Sequence, residues 1–175
     1  ALERSARIAF VCKGNICRSP FAEQVASACW GAHREYFSAA LLPLSARSAP
    51  PEALDAARKL GIDLSTHSST SLDPDLVKRA ELIFVFDAHN YEALARRFPE
   101  SIAKVHFLGA LAESGPAMID DPFGKGPEAF ERAYQIISDA VRGAGASSGA
   151  SEGSRTRAMH ATASPGASDR PGQWS

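Results

Sequence analysis

Short apolar runs alternate along the chain with longer stretches that have helical periodicity. This alternation predicts an α/β fold in which a parallel sheet packs against helices. The runs predicted to form strands are Arg7 to Cys12, Leu41 to Ser45, Leu82 to Phe86 and Val105 to Leu108. The segments predicted to form helices are Phe21 to Ala32, Pro51 to Leu60, a short helix opened by Asp73 and Pro74, Ala88 to Phe98, and Pro127 to about Arg142.

The composition changes at Gly143. From there glycine, alanine, serine and proline dominate, and large apolar residues are almost absent before Trp174. Such a segment buries too little apolar surface to offset the entropy lost on ordering. The sequence therefore predicts one folded domain over residues 1–142 and a disordered tail over residues 143–175. The alternative is a tail that recruits a partner or a polypeptide substrate.

Overall composition excludes several classes of protein. The chain has 175 residues, of which 45% are hydrophobic, so one domain with a sizeable core is expected. The formal net charge is −1 and the basic residues are not massed on one face, which gives no support for binding to nucleic acid or to a membrane. Two of the three cysteines lie in one short loop, which favours a reducing compartment and predicts the cytoplasm.

The most informative segment follows the apolar run Ile8 to Val11 and reads CKGNICRS, from Cys12 to Ser19. A strand that ends here, a tight loop and a helix that starts near Ser19 would turn successive backbone N–H groups inward. Such a loop, together with the positive end of the helix, forms a cradle for an anion. Arg18 adds a planar fork of donors that matches two phosphate oxygens at once. The segment therefore predicts a phosphate site.

The other side chains of this loop suit chemistry on phosphorus. Cysteines at helix N-termini or beside cations are ionised at neutral pH, so Cys12 is expected to be a nucleophilic thiolate. Gly14 permits backbone angles that other residues avoid, where the loop bends closely around a ligand. Asn15 and Ser19 are suited to loop and cap hydrogen bonds, and Ser19 is placed to donate to the sulfur.

The segment resembles the signature of the low molecular weight protein tyrosine phosphatase family, and the resemblance extends over roughly residues 6 to 142. Further matching landmarks are Ser45 with Ala46, the stretch from Gly61 to His67, the strand that ends at Asp87 with Asn90 beyond it, and Asp121-Pro122-Phe123. The resemblance implies a three-layer α/β/α sandwich with a four-stranded parallel sheet. It also implies hydrolysis of phosphotyrosine through a phosphocysteine intermediate, with no cofactor. No metal is expected, because four histidines show no ligand spacing: His33, His89, His106 and His160.

The resemblance also assigns roles. Cys12 would be the nucleophile, Arg18 would bind the phosphate and stabilise the transition state, and Asp121 would be the general acid and base. Asp120 is the rival acid. The residues expected to bind substrate are Lys13, Gly14, Asn15, Ile16, Cys17, Ser19 and Phe123. Asn15, Ser19, Ser45 and His67 are expected to form one hydrogen-bond network that supports the loop.

Some positions depart from the family pattern or leave alternatives open. Thr70 stands where the family usually has arginine, so the packing beneath the loop must differ. Lys13 would favour acidic sequences around the phosphotyrosine, or is simply solvated. Cys17 packs in the loop, or forms a disulfide with Cys12 that protects the nucleophile from over-oxidation. Partners implied by the resemblance are a phosphotyrosine-containing protein and, with it, a tyrosine kinase.

Two other functions compete with this interpretation. Arsenate reductases share the fold and loop but use additional cysteines near the end of the third strand, and no cysteine lies between Leu82 and Phe98. A catalytically silent phosphoanion-binding module or a phosphocarrier is the alternative of another class. Such proteins need neither Arg18 nor Asp121, so the presence of both favours an enzyme that turns over.

Overall fold

The computed structural model describes the backbone of residues 2–159, and the side-chain surroundings of residue 2 and residues 4–145. Four strands form one parallel sheet in the order β2-β1-β3-β4. They are β1 (Arg7–Cys12), β2 (Glu35–Ala40), β3 (Leu82–Val85) and β4 (Val105–Phe107). The helices are α1 (Arg18–Cys29), α2 (Pro51–Lys59), α3 (Pro74–Arg79), α4 (Ala88–Arg97) and α5 (Pro127–Met159).

Alternate residues of the sheet face two separate cores. On one face, Ile8 and Phe10 of β1 pack in a large cluster with residues of α1, α2 and α5. On the other face, Ala9 and Val11 pack with residues of α3 and α4. Because successive side chains of a strand point to opposite faces, a central strand covered by helices on both sides is apolar at nearly every position. The arrangement confirms the predicted three-layer α/β/α sandwich.

The second strand differs from the prediction. Leu41 to Ser45 was expected to be this strand, which is wrong, because Glu35–Ala40 pairs with β1 instead. The true strand ends in the small buried residues Ser38, Ala39 and Ala40, whose hydrophobic signal is weaker than that of the leucines after them. Pro43 lacks a backbone N–H group and so fits a loop better than a strand.

The last helix also differs from the prediction. It was expected to end near Arg142, which is wrong, since helical backbone continues to Met159. Trp30 at the end of α1 donates its indole N–H to the carbonyl of Val141 at 2.7 Å, and Ala144 packs against the same core. Residues 160–175 of the predicted tail lie outside the described residues. Within the described chain, none of the helices has the length and apolarity to cross a membrane.

Candidate active site

The loop between β1 and α1 lies at the carboxyl edge of the sheet, where open parallel sheets bind ligands. Cys12 is the last residue of β1, Cys17 precedes the first turn of α1, and Arg18 opens the helix. No side chain caps this helix, so the N–H groups of its first turn can face an anion. Asn15 adopts left-handed backbone angles with φ of 52°, which asparagine tolerates better than most residues.

Two neighbours fix the sulfur of Cys12. The backbone N–H of Asn15 donates to Sγ at 3.3 Å, and the hydroxyl of Ser19 lies 3.0 Å from the same atom. Ser19 Oγ accepts a hydrogen bond from the side-chain amide of Asn15 at 2.9 Å, which leaves the hydroxyl proton free to point at the sulfur. Both donors stabilise negative charge on Sγ.

The side chain of Arg18 is only 1% exposed, and three protein groups contact its guanidinium. Nη1 donates to Asp87 Oδ2 at 2.5 Å and to the carbonyl of Ile119 at 2.9 Å, while Nη2 lies 2.9 Å from Asp121 Oδ2. Burial lowers the pKa of Arg18, but the charges of Cys12, Asp121 and Asp87 raise it by more. Nε is buried with no acceptor among the described protein atoms, and so remains a donor for a ligand oxygen.

Asp121 and Asp120 occupy different positions despite being neighbours. Asp121 lies on the wall of the cavity above Cys12, where its Oδ1 accepts the backbone N–H of Phe123 at 3.3 Å. Asp120 is exposed and lines an adjacent cavity that does not reach Cys12. The geometry therefore places Asp121, and not its rival, where a general acid would meet a leaving group.

We call the cavity above Cys12 the slot; its volume is about 320 Å³. The predicted site residues that line it are Cys12, Lys13, Gly14, Ile16, Cys17, Arg18, Asp121 and Phe123. Three residues that the sequence did not single out complete the lining: Leu42, Arg47 and Lys125. Among the described residues, no group of three His, Cys, Asp or Glu side chains is placed to share a metal ion.

Asn15 and Ser19 lie beneath the loop, because both side chains are fully buried and neither lines the slot. Asn15 Nδ2 also donates to Ser38 Oγ at 2.8 Å, and its Oδ1 accepts the backbone N–H of Thr70 at 2.8 Å. Nε2 of His67 lies 2.7 Å from the backbone carbonyl of Asn15. The prediction that His67 supports the loop through Asn15 agrees with this geometry. The substrate contact predicted for Asn15 and Ser19 stays a prediction.

Ser45 does not take the place predicted for it in this network. Its Oγ accepts the backbone N–H of Ser71 at 3.1 Å, and Ser38 occupies the predicted position beside Asn15. Ser38 in turn donates to Glu23 Oε2 at 2.5 Å. Burial raises the pKa of Glu23, against smaller downward effects of the Ser38 hydrogen bond and of His67. The hydrogen-bond chain thus runs from α1 through β2 to the loop.

Cys17 is a buried free thiol, as is Cys12. Burial raises the pKa of Cys17 above its ordinary value, and the nearby Cys12 and Asp121 raise it further, against smaller effects of Arg18 and Arg47. Its backbone carbonyl accepts the hydroxyl of Tyr134 at 3.1 Å, which ties the loop to α5. Cys17 therefore stays protonated near neutral pH.

Comparisons with known proteins agree with this geometry. The family model of the low molecular weight phosphotyrosine protein phosphatase matches residues 7–151. The probable low molecular weight protein-tyrosine-phosphatase EpsP of Ralstonia nicotianae is 35% identical over 134 residues, which cover 77% of this chain and 90% of EpsP. An arsenate reductase of Brevibacillus brevis is 29% identical over 81% of this chain and 95% of its own.

The solved structure of Vibrio vulnificus Wzb in complex with benzylphosphonate is 30% identical, with a TM-score of 0.73, and the match covers 81% of this chain and 97% of that one. The family model matches most of the chain, and the matched residues include the sheet, the phosphate loop and the slot. The chain belongs to the low molecular weight phosphotyrosine protein phosphatase family.

Proposed function

We propose that this protein hydrolyses phosphotyrosine in proteins through a phosphocysteine intermediate on Cys12. One observation carries the proposal: Cys12 Sγ, the Arg18 guanidinium and the Asp121 carboxyl converge on one slot. The ligand of the Vibrio vulnificus relative, benzylphosphonate, combines an aromatic ring with a phosphonate, which is the shape of substrate that the slot would take. Phe123 and Leu42 supply apolar surface for such a ring.

In the first step, the thiolate of Cys12 attacks phosphorus, so the S–P bond forms as the P–O bond to the tyrosine ring breaks. Asp121 transfers its proton to the departing phenolate oxygen. Arg18 and the N–H groups of the loop hold the non-bridging oxygens, whose charge they stabilise in the transition state. The products of this step are tyrosine and phosphocysteine.

In the second step, a water molecule attacks the phosphocysteine. Asp121, now a carboxylate, takes a proton from that water as the O–P bond forms and the S–P bond breaks. Inorganic phosphate leaves and the thiolate of Cys12 is restored. Since Arg18 Nη2 contacts Asp121 at 2.9 Å, a phosphate on the guanidinium competes for this contact and frees the carboxyl for proton transfer.

The proposal is tested with p-nitrophenyl phosphate and a phosphotyrosine peptide. Cys12→Ser should lower kcat by at least about a thousandfold, because it removes the nucleophile. Rapid acid quench of the wild-type enzyme during turnover should recover phosphate bound to the peptide that contains Cys12. Turnover that survives in Cys12→Ser, or quenched enzyme without bound phosphate, would contradict the mechanism.

We also propose a phosphotyrosine protein as the substrate in the cell, a tyrosine kinase acting on the same protein, and a cytoplasmic location. Two of the three cysteines lie together in the loop of the slot, which supports a reducing compartment. Cys12→Ser, which retains the slot, should capture the substrate from lysate of the source organism, and mass spectrometry should find phosphotyrosine in the captured protein. Capture that free p-nitrophenyl phosphate fails to displace would count against this assignment.

Similarity to an arsenate reductase does not extend to its chemistry. A cysteine relay needs thiols beyond the nucleophile near the end of the third strand, and none of the three cysteines lies between Leu82 and Phe98, which span β3 and α4. Cys29, the remaining cysteine, lies half-buried on α1 and packs against the core. Phosphate ester hydrolysis is the reaction that the residues of the slot support.

A further inference from the structure

The mouth of the slot carries positive charge that the chemistry at phosphorus does not use. Four cationic side chains line the slot against the single carboxylate of Asp121, on a chain whose formal net charge is −1. Arg18 is already paired with Asp87 and Asp121. The other three cations are Lys13, Arg47 and Lys125.

These three cations have no carboxylate partner among the described residues, whereas Arg7, Arg58, Lys59, Arg79 and Arg96 each form an ion pair. Lys13 and Lys125 are exposed and Arg47 is half-buried. A cluster of unpaired like charges costs free energy through mutual repulsion, and an anionic ligand relieves that cost. The substrate phosphate sits deeper, on Arg18 and the loop, so the mouth is available for other negative groups.

Hydrogen bonds to Ser69 hold the backbone of Arg47. Its backbone N–H donates to Ser69 Oγ at 3.0 Å, its carbonyl accepts Ser69 N–H at 2.9 Å, and Ala46 N–H donates to the Ser69 carbonyl at 2.8 Å. We call these three hydrogen bonds the Ser69 clamp. Ser69 is buried, so the clamp is anchored in the fold. Ala46 adopts a left-handed conformation with φ of 60°, which alanine normally avoids and which redirects the chain just before Arg47.

The guanidinium of Arg47 lies beside the phosphate loop. Nη1 of Arg47 lies 3.8 Å from the position that a Cβ atom on Gly14 would occupy. Leu42 and Phe123, the latter 55% exposed, supply the apolar walls of the same opening. When an aromatic ring fills the slot, the residues next to the phosphotyrosine therefore lie at the mouth, beside Arg47, Lys13 and Lys125.

Resting on the proposed function, we propose that Arg47, with Lys13 and Lys125, selects phosphotyrosine sites that are flanked by aspartate or glutamate. The guanidinium forms a paired contact with a carboxylate, which a lysine cannot copy. The two lysines attract acidic segments through their field. Arg47 is a residue that determines specificity and takes no part in bond breaking.

The test compares three phosphotyrosine peptides of equal length whose flanking residues are Asp and Glu, Asn and Gln, or Lys. At low salt we expect kcat/KM for the acidic peptide to exceed that for the neutral one by about tenfold, the effect of a few screened charge contacts. At high salt this ratio should fall toward unity, because the Debye length shrinks to about 3 Å at 1 M.

Variants assign the effect to Arg47. In Arg47→Gln the ratio should fall about threefold to fivefold, in line with the modest strength of exposed charge contacts. Arg47→Lys should retain an intermediate ratio, and Arg47→Glu should lower the ratio further than Arg47→Gln does. Lys78→Gln is the matched control, since Lys78 is an exposed cation at the end of α3 and outside the slot, and its ratio should equal that of the wild type.

The outcomes separate the two proposals. If no peptide is dephosphorylated by the wild type, the proposed function itself fails. If all three peptides are hydrolysed equally well, or if Arg47→Gln keeps the wild-type ratio, the function stands and the specificity proposal is overturned.

Discussion

Arg18 and Asp87 join the start of α1 to the end of β3, with Nη1 2.5 Å from Oδ2 although 69 residues separate the two in sequence. The same aspartate caps α4, because its Oδ1 accepts the backbone N–H of Asn90 at 2.7 Å. One carboxylate therefore fixes both a helix and the guanidinium that is expected to bind phosphate. Asp87 and the Ile119 carbonyl together take the donors of Nη1, and Nε is left without a partner among the described protein atoms.

Replacing Asp87 separates these two roles. Asp87→Asn retains a capping side chain but loses the charge, so kcat/KM for p-nitrophenyl phosphate should fall roughly tenfold or more, as expected for a lost hydrogen bond between charged groups. Asp87→Ala should lose a further ~1 kcal/mol of stability with the cap. Steady-state kinetics and urea unfolding measure the two effects. Wild-type kinetics in Asp87→Asn would show that Arg18 needs no such partner.

The assignment of the general acid can be tested by comparing two leaving groups. Asp121→Asn should slow phenyl phosphate hydrolysis by about a hundredfold or more, because its phenolate needs a proton to leave. p-Nitrophenolate is a better leaving group, so its ester should be affected less. Asp120→Asn is the control and should behave like the wild type with both esters. A larger defect in Asp120→Asn would reverse the assignment.

Ser38 and Ser45 make a matched pair for testing the network beneath the loop. Ser38→Ala leaves Asn15 Nδ2 and Glu23 without their shared partner, so unfolding free energy should fall by about 1 to 3 kcal/mol and kcat should drop as the loop loosens. Ser45→Ala changes an exposed hydroxyl and should stay within about 0.5 kcal/mol of the wild type. Equal effects of the two substitutions would exclude the network described for Asn15.

The pKa shift of Glu23 determines the direction in which the free energy of unfolding should change with pH. Burial raises its pKa above the ordinary 4.5, so above pH 4.5 the folded state keeps a proton that the unfolded state has already released. The stabilisation that the Glu23 carboxyl contributes is therefore fully present below pH 4.5. It is lost as the pH rises through the pKa of Glu23 in the folded state. Chemical unfolding of wild type and Glu23→Gln should show the variant gaining relative stability from pH 4 to pH 8.

Glu81 is a control, because its pKa is shifted in the opposite direction to that of Glu23. A hydrogen bond from the Ala6 backbone, followed by the smaller effect of Arg7, lowers the pKa of Glu81, against burial. Its contribution is present above pH 4.5 and is lost as pH falls through the folded pKa. Wild type should therefore lose its advantage over Glu81→Gln on acidification. The same trend in both variants would mean that the pH dependence arises elsewhere.

Sequence alone predicted what lies close together along the chain. The strand, loop and helix from Arg7 to Arg18 form one contiguous unit, so residue types and spacing were sufficient to find it. The fold class followed from alternating periodicity. The second strand was missed because Ser38, Ala39 and Ala40 are small, whereas the leucines after them belong to the slot and its approach.

Contacts between segments that are far apart in sequence could not be predicted from local patterns. Ser38 meets Asn15 across 23 residues, and no local pattern distinguishes it from Ser45. Asp87 was visible as a landmark, but its contact with Arg18 depends on the pairing of β1 with β3. Arg47 lines the slot while its backbone is bonded to Ser69, 22 residues later.

The attachment of the phosphate loop to late segments sets an order for biosynthesis. Arg18 donates to the carbonyl of Ile119, and Tyr134 donates to the carbonyl of Cys17, so residues more than 100 positions after the loop complete its support. A nascent chain emerges from the ribosome amino end first. The thiol of Cys12 therefore acquires its finished surroundings only when Ile119 and α5 have docked against the loop.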